Sequence, residues 1–249
     1  MEAGLVWAAG ALGRLWHRAY YRCACIGWRL ALACGARSRM EGAENLPRGG
    51  PYILVCNHIS HFDPPTLAAL LWRKHAWVVA LDMYAHPAAA WFFRGIESIP
   101  VDRRGADRGA VKAILKRLRR GEPVGLFPEA GIRSGATSVL GGVPFDETVG
   151  GLAQVAGAPV VPAVILGTDK LYCRTAWGRK TDVFVRVGEP IAPGDDRRET
   201  TRRAEVAIRA LANDLKREHG LSDADMPMTA QERWRLEAEA RLRRRGQTR

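Results

Sequence analysis

The seven residues Asn57-His58-Ile59-Ser60-His61-Phe62-Asp63 put two imidazoles, a hydroxyl, an amide and a carboxylate into one short stretch. The chemistry open to such a set is proton transfer. A carboxylate bonded to one imidazole nitrogen holds the tautomer and leaves the other nitrogen as a general base. On a continuous helix His58 and Asp63 would stand roughly 140° apart and could not meet. They can meet if residues 58–62 form a turn and Asp63 folds back from the start of a following helix. Asp63 before Pro64 fits such a start, the acid as N-cap and the proline at the first helical position. The same residues also admit a structural reading, in which Asp63 only caps and His58 only satisfies backbone. Spacing alone leaves both open. No Gly-x-Ser-x-Gly occurs in the chain, so Ser60 reads as a turn former or supporting donor rather than a nucleophile. Asn57 shapes the same turn, and His61 reads as a surface residue.

The elements that must position this turn are legible around it. Tyr52 to Cys56 is nearly all apolar, the pattern of a strand buried on both faces. After Pro64, Leu67, Leu70 and Leu71 recur at helical spacing. Further strands are expected at 77–81, 124–127, 159–166 and 182–187. Helices are expected at 88–93, 106–120, 152–156, 197–219 and 230–245. Strands separated by helices imply an α/β fold, a single layered domain with a mixed, largely parallel sheet flanked by helices. Before it, residues 1–40 read as an N-terminal helical segment; the domain spans 41–220, and 221–249 form a basic C-terminal tail or helix. Ligands in such sheets gather at the carboxyl ends of strands. Three polar clusters occupy such ends: Asn57 to Asp63, Asp102-Arg103, and Glu129 to Ser134.

Charge narrows the partners. The 249 residues carry 38 Lys and Arg against 26 Asp and Glu, a net +12 that attracts polyanions such as an anionic membrane surface. Residues 103–120 hold eight Lys or Arg against Asp107 alone. Aromatic residues for base stacking are missing from that stretch, which argues against nucleic acid. Near the N-terminus, Arg14, Arg18, Arg22 and Arg29 punctuate a segment rich in Trp, Tyr, Leu and Ala. That pattern suits a helix lying in a membrane interface, whereas no uncharged apolar run is long enough to span a bilayer. Five irregularly spaced cysteines suggest a reducing compartment, and no ligand spacing points to a metal. Dinucleotide, P-loop and zincin motifs are absent.

Four blocks, taken in order, resemble those of the glycerolipid acyltransferases, whose best-known members acylate 1-acylglycerol-3-phosphate. They are Asn57-His58-x-Ser60-x-x-Asp63, Gly95 through Ile99-Pro-Val-Asp-Arg103, Phe127-Pro128-Glu129 with Arg133-Ser134, and Val160-Val161-Pro162 running to Gly167-Thr168. The resemblance covers about residues 41–192. It implies His58 as a base oriented by Asp63, acting on the acceptor hydroxyl as it attacks an acyl-CoA or acyl-carrier-protein thioester, with no further cofactor. It implies Arg103, Glu129 and Arg133 at the acceptor's phosphate, with Asn57 and Ser60 completing the substrate-binding turn. It also implies a lysophospholipid acceptor and a place on the cytoplasmic face of a membrane. The third block departs from the family pattern by one extra residue before Arg133, and the lysine often found ahead of the fourth block has no match in Phe145 to Val149. Both changes bear on the acceptor, so another lysolipid, such as a lyso-ornithine lipid, is an alternative. A non-catalytic membrane scaffold would keep the charge and the fold without needing His58.

Overall fold

Tyr52, Leu54 and Cys56 face one side of their strand, Ile53 and Val55 the other, and all five are buried. A strand with no polar face must lie inside a sheet covered by helices on both sides. The computed structural model, which describes residues 2–246, shows that arrangement. In chain order the elements are α1 (Glu2–Gly35), β1 (Ala36–Glu41), β2 (Ile53–Cys56), α2 (Asp63–Leu71), β3 (Ala76–Ala80) and α3 (Pro87–Gly95). Next come β4 (Ile99–Val101), α4 (Arg108–Arg119), β5 (Val124–Leu126), α5 (Thr148–Ala156) and β6 (Val160–Leu166). The short α6 (Ala176–Arg179), β7 (Thr181–Val187), α7 (Arg197–Glu218) and α8 (Ala230–Gly246) complete the chain.

The seven strands form one sheet in the order β1-β7-β6-β2-β5-β3-β4. Only β6 and β7 pair antiparallel; every other neighbouring pair is parallel. The mixed, largely parallel sheet expected from the α/β alternation is therefore observed, and β2 lies near its middle. Residues 36–40, expected to continue the N-terminal helix, instead form most of β1. Arg37, Ser38 and Arg39 are exposed and carry no strand pattern of their own. They are extended because β7 offers a free edge, and all six residues of β1 pair with it in register, Ala36 opposite Thr181.

The two faces of the sheet are covered by different helices. On one side Ile114 and Leu118 of α4, Val149 and Leu152 of α5, and Ile208 of α7 pack on Ile53 and Val55. On the other, Tyr21 and Cys25 of α1 and Leu67 and Leu71 of α2 pack on Leu54 and Cys56. The indole N–H of Trp28 in α1 donates to the Thr66 hydroxyl in α2 at 3.0 Å, and that of Trp77 in β3 to the Tyr21 hydroxyl at 3.0 Å. These bonds lock α1 to the domain rather than leaving it a free anchor. Among the described residues no helix is long and apolar enough to cross a membrane.

A fully buried imidazole ties this side together. His75 Nδ1–H donates to the Arg73 carbonyl at 2.9 Å, so Nε2 accepts from the Tyr52 hydroxyl at 2.8 Å. Burial pushes the His75 pKa down to about 4 from an ordinary 6.5 and that of Tyr52 up to about 12. The unfolded chain protonates this imidazole below about 6.5 and the folded chain only below about 4. Between these values the unfolded state holds more protons, and stability falls as pH falls. Urea titrations from pH 7 to pH 4 should show this loss, about 3 kcal/mol in total for a shift of this size. The component should vanish in His75→Gln, whatever that substitution costs at neutral pH.

Candidate active site

Three loops leave the carboxyl ends of the adjacent parallel strands β2, β5 and β6 and meet around one carboxylate. Asp63 is fully buried. Its Oδ2 accepts from His58 Nδ1–H at 2.9 Å and from the backbone N–H groups of Ile59 at 2.6 Å and Ser60 at 2.8 Å. Its Oδ1 accepts from the Ser60 hydroxyl at 3.1 Å and from the Thr168 hydroxyl. A buried carboxylate is costly unless its lone pairs are filled, and these five donors fill them.

The arrangement corrects the capping expectation. Phe62 occupies the N-cap of α2 and Asp63 begins the helix, with the prolines behind it. The carboxylate turns back over residues 58–60 instead of forward onto helix N–H groups. The fold-back needed to join His58 and Asp63 therefore occurs, by a different local route. With Nδ1–H committed to Asp63, Nε2 of His58 carries the lone pair. The imidazole lies on Phe127, ring centroids 4.4 Å apart and 27° between planes, and Phe127 in turn stacks on Trp77. The His58 side chain is 17% exposed while Asp63 is sealed, so solvent reaches the imidazole and not the carboxylate.

Glu129, which the resemblance places at the acceptor's phosphate, lies beside the backbone of His58. Its Oε2 accepts from the His58 backbone N–H at 2.6 Å and its Oε1 from the Val139 N–H at 2.7 Å. Burial raises its pKa, against the opposing pull of those two N–H bonds and of His58. Both carboxylate oxygens are thus engaged by backbone N–H groups. Glu129 holds the β5 loop to the turn that carries His58. The Arg133 N–H closes the same join by donating to the His58 carbonyl at 2.8 Å.

Asn57 and Ser60 are also corrected. Both are fully buried, so neither can touch a substrate from its place in the fold. Asn57 Nδ2 donates to the Ile165 carbonyl at 2.9 Å, and the Ile165 N–H donates to its Oδ1 at 2.8 Å. The side-chain amide thus continues the ladder between β2 and β6 past the last backbone pair. Ser60 gives its hydroxyl proton to Asp63 and accepts the Phe62 N–H at 3.0 Å. His61 is exposed as expected, its N–H and ring held by the Tyr172 hydroxyl.

Two arginines remain at the rim. Arg103 bonds the Ala130 carbonyl at 3.2 Å and the Asp82 carboxylate at 2.9 Å, so it leans on the loop that joins Glu129 to Arg133. In that loop Ala130 is held at φ 51°, a left-handed conformation that favours glycine. The Arg133 side chain is exposed and makes no hydrogen bond among the described residues.

Thr168 and Phe127 are site residues that motif reading passes over, although both stand inside quoted blocks. Thr168 is delivered by Gly167, at φ 89°, where a Cβ would come within 2.2 Å of the Asp182 carbonyl oxygen. A polar residue directly after an all-apolar buried strand was the available signal.

A model of the acyltransferase family matches residues 37–166. A 1-acyl-sn-glycerol-3-phosphate acyltransferase of Bacillus subtilis is 26% identical over 180 residues, which are 70% of this chain and 84% of that one. A lyso-ornithine lipid O-acyltransferase of Pseudomonas aeruginosa is 28% identical over 201 residues, 73% of this chain and 76% of the relative. The crystal structure of the 1-acyl-sn-glycerophosphate acyltransferase of Thermotoga maritima shares the fold, with a TM-score of 0.65 at 22% identity over 80% of this chain and 79% of the other.

Two substitutions separate support from chemistry. Asn57→Ala should cost about 2–4 kcal/mol, because it strands a buried N–H and a buried carbonyl of Ile165; chemical denaturation measures it. Thr168→Val removes one donor to the Asp63 carboxylate, a loss of about 1.5 kcal/mol or roughly tenfold in rate. Steady-state kinetics should show that loss in kcat with KM little changed.

Proposed function

The chain belongs to the acyltransferase family, and from that membership we propose that it moves a fatty acyl group from a thioester donor to the free hydroxyl of 1-acylglycerol-3-phosphate, giving phosphatidic acid. The donor is acyl-CoA or an acyl-carrier protein. The observation that carries the mechanism is the 2.9 Å bond between His58 Nδ1 and a carboxylate sealed from water. His58 Nε2 takes the acceptor's hydroxyl proton as that oxygen attacks the thioester carbonyl. A C–O bond forms, the carbonyl electrons move onto oxygen, and the tetrahedral intermediate collapses with cleavage of the C–S bond. The leaving thiolate recovers the proton from Nε2–H. Donor and acceptor alone balance the reaction. Asp63 stabilises the imidazolium in between, in the manner of a buried orienting carboxylate.

Arg103 and Arg133 are the cations placed to meet the acceptor's phosphate, since a guanidinium can bind it through two N–H groups. The lysolipid reaches the site from a bilayer surface, with the protein on its cytoplasmic face. Trp16 on α1 and Trp91 on α3, 62% and 65% exposed, suit an interfacial position, and Tyr20 packs between them. The same chemistry would serve another lysolipid, so an acceptor screen against one labelled donor identifies the substrate.

His58→Gln should lower the rate of thiol release from acyl-CoA with lysophosphatidic acid by about a thousandfold, the middle of the range for a general base. Circular dichroism should show an unchanged fold. Activity within about threefold of wild type would overturn the mechanism.

A further inference from the structure

Helix α4 carries a charge pattern that acyl transfer leaves unexplained. Ala110, Ile114 and Leu118 form its buried stripe. Arg108, Lys112, Lys116, Arg119 and Arg120 are all exposed, and at about 100° per residue they centre on the side opposite that stripe. The row is about 18 Å long at 1.5 Å per residue. None of the five side chains makes a hydrogen bond or ion pair with another described residue. Arg117 alone is neutralised, by Glu97 and Glu122. On the same face of the sheet, α7 pairs Arg197 and Arg198 with Glu147, Arg202 with Glu199, and Arg217 with Asp214. The α4 row is thus a local concentration of uncompensated positive charge.

Sequence alone would set this row beside α1 on one anionic membrane. The sheet separates them: α4 packs on Ile53 and Val55, α1 on Leu54 and Cys56 of the same strand. With the Trp16–Trp91 surface against lipid, the α4 row faces away from it. Its exposed face carries no aromatic residue, only Val111 as a large apolar group. A surface that is basic, nearly free of apolar anchors and turned from the bilayer suits a soluble acidic protein. It also lies near the chemistry. α4 begins five residues after Arg103, whose guanidinium bonds Ala130 in the loop that clamps His58. In a parallel βαβ unit the helix starts at the carboxyl end of the sheet, the end that bears the site.

We propose that Arg108, Lys112, Lys116, Arg119 and Arg120 form the docking surface for an acidic acyl-carrier protein, which presents its thioester arm to His58. The proposal rests on the acyl-transfer reading above and names its donor. Attraction of this kind acts at long range and is screened by salt, so it raises capture of the donor without changing the chemical step.

The test compares wild type with the double variant Lys112→Glu, Lys116→Glu, using the same acyl chain on carrier protein and on CoA. KM for the acyl-carrier donor should rise at least about tenfold, while kcat with that donor and both constants with acyl-CoA stay within about twofold. Direct binding of the acyl-carrier protein, read by fluorescence anisotropy at low and at high salt, should weaken in the same variant. Unchanged carrier KM and binding would overturn the proposal. So would an equal loss with both donors together with loss of flotation on anionic vesicles, which would assign the row to the bilayer. If wild type transferred from neither donor, the acyl-transfer reading would fall, and the binding measurement would still decide whether the surface docks the carrier.

Discussion

A carboxylate without contact to water must have its charge matched by donors from the protein, and Asp63 is the point at which this chain meets that demand. Each of its five donors belongs to a particular segment: three to the turn after β2, one to the imidazole it orients, and one to the turn after β6. Moving any of these segments would leave an oxygen unfilled in a medium where that is expensive. The demand therefore works in two directions. It positions His58, and it holds together two loops that the chain separates by about a hundred residues.

The neighbouring polar residues extend the same logic outward. Asn57 replaces backbone pairing where β2 leaves the sheet, Glu129 grips the His58 N–H from β5, and the Arg133 N–H grips its carbonyl. The His58 turn is held by strands on both sides of it, while its imidazole rests on Phe127. At the rim the His58 ring is partly exposed, and so are the Arg103 and Arg133 side chains. Rigid support with a small exposed reactive group is what positioned acid–base chemistry requires.

The sheet also divides the surface by chemistry. In one cover, α1 is tied to α2 through Trp28, to α3 through His17 and to β3 through Tyr21, and Trp16 and Trp91 still show to the outside. The other cover bears the basic row of α4. Both reach the end of the sheet where the strands deliver the site, so a lipid acceptor and a protein-borne donor would approach from different sides without competing for one surface.

Local pattern was enough for the strand–turn–helix from Tyr52 to Leu71, while for the pairing of His58 with Asp63 it left a purely structural reading open. The run of apolar residues, the polar turn and the proline after the acid are all short-range signals, and the blocks downstream supported the same pair. The parallel α/β sheet followed from alternation in the same way. Register and crossover decided the remainder. β1 is a strand because β7 offers it an edge, although Arg37, Ser38 and Arg39 show no strand alternation. Glu129 grips the His58 backbone, a contact no motif shows, because the pairing of β2 with β5 brings it within 2.6 Å of the His58 N–H. Thr168 reaches Asp63 only because β6 lies against β2. Contacts between residues a hundred positions apart depend on which strands are neighbours, and neither composition nor spacing within one segment carries that information.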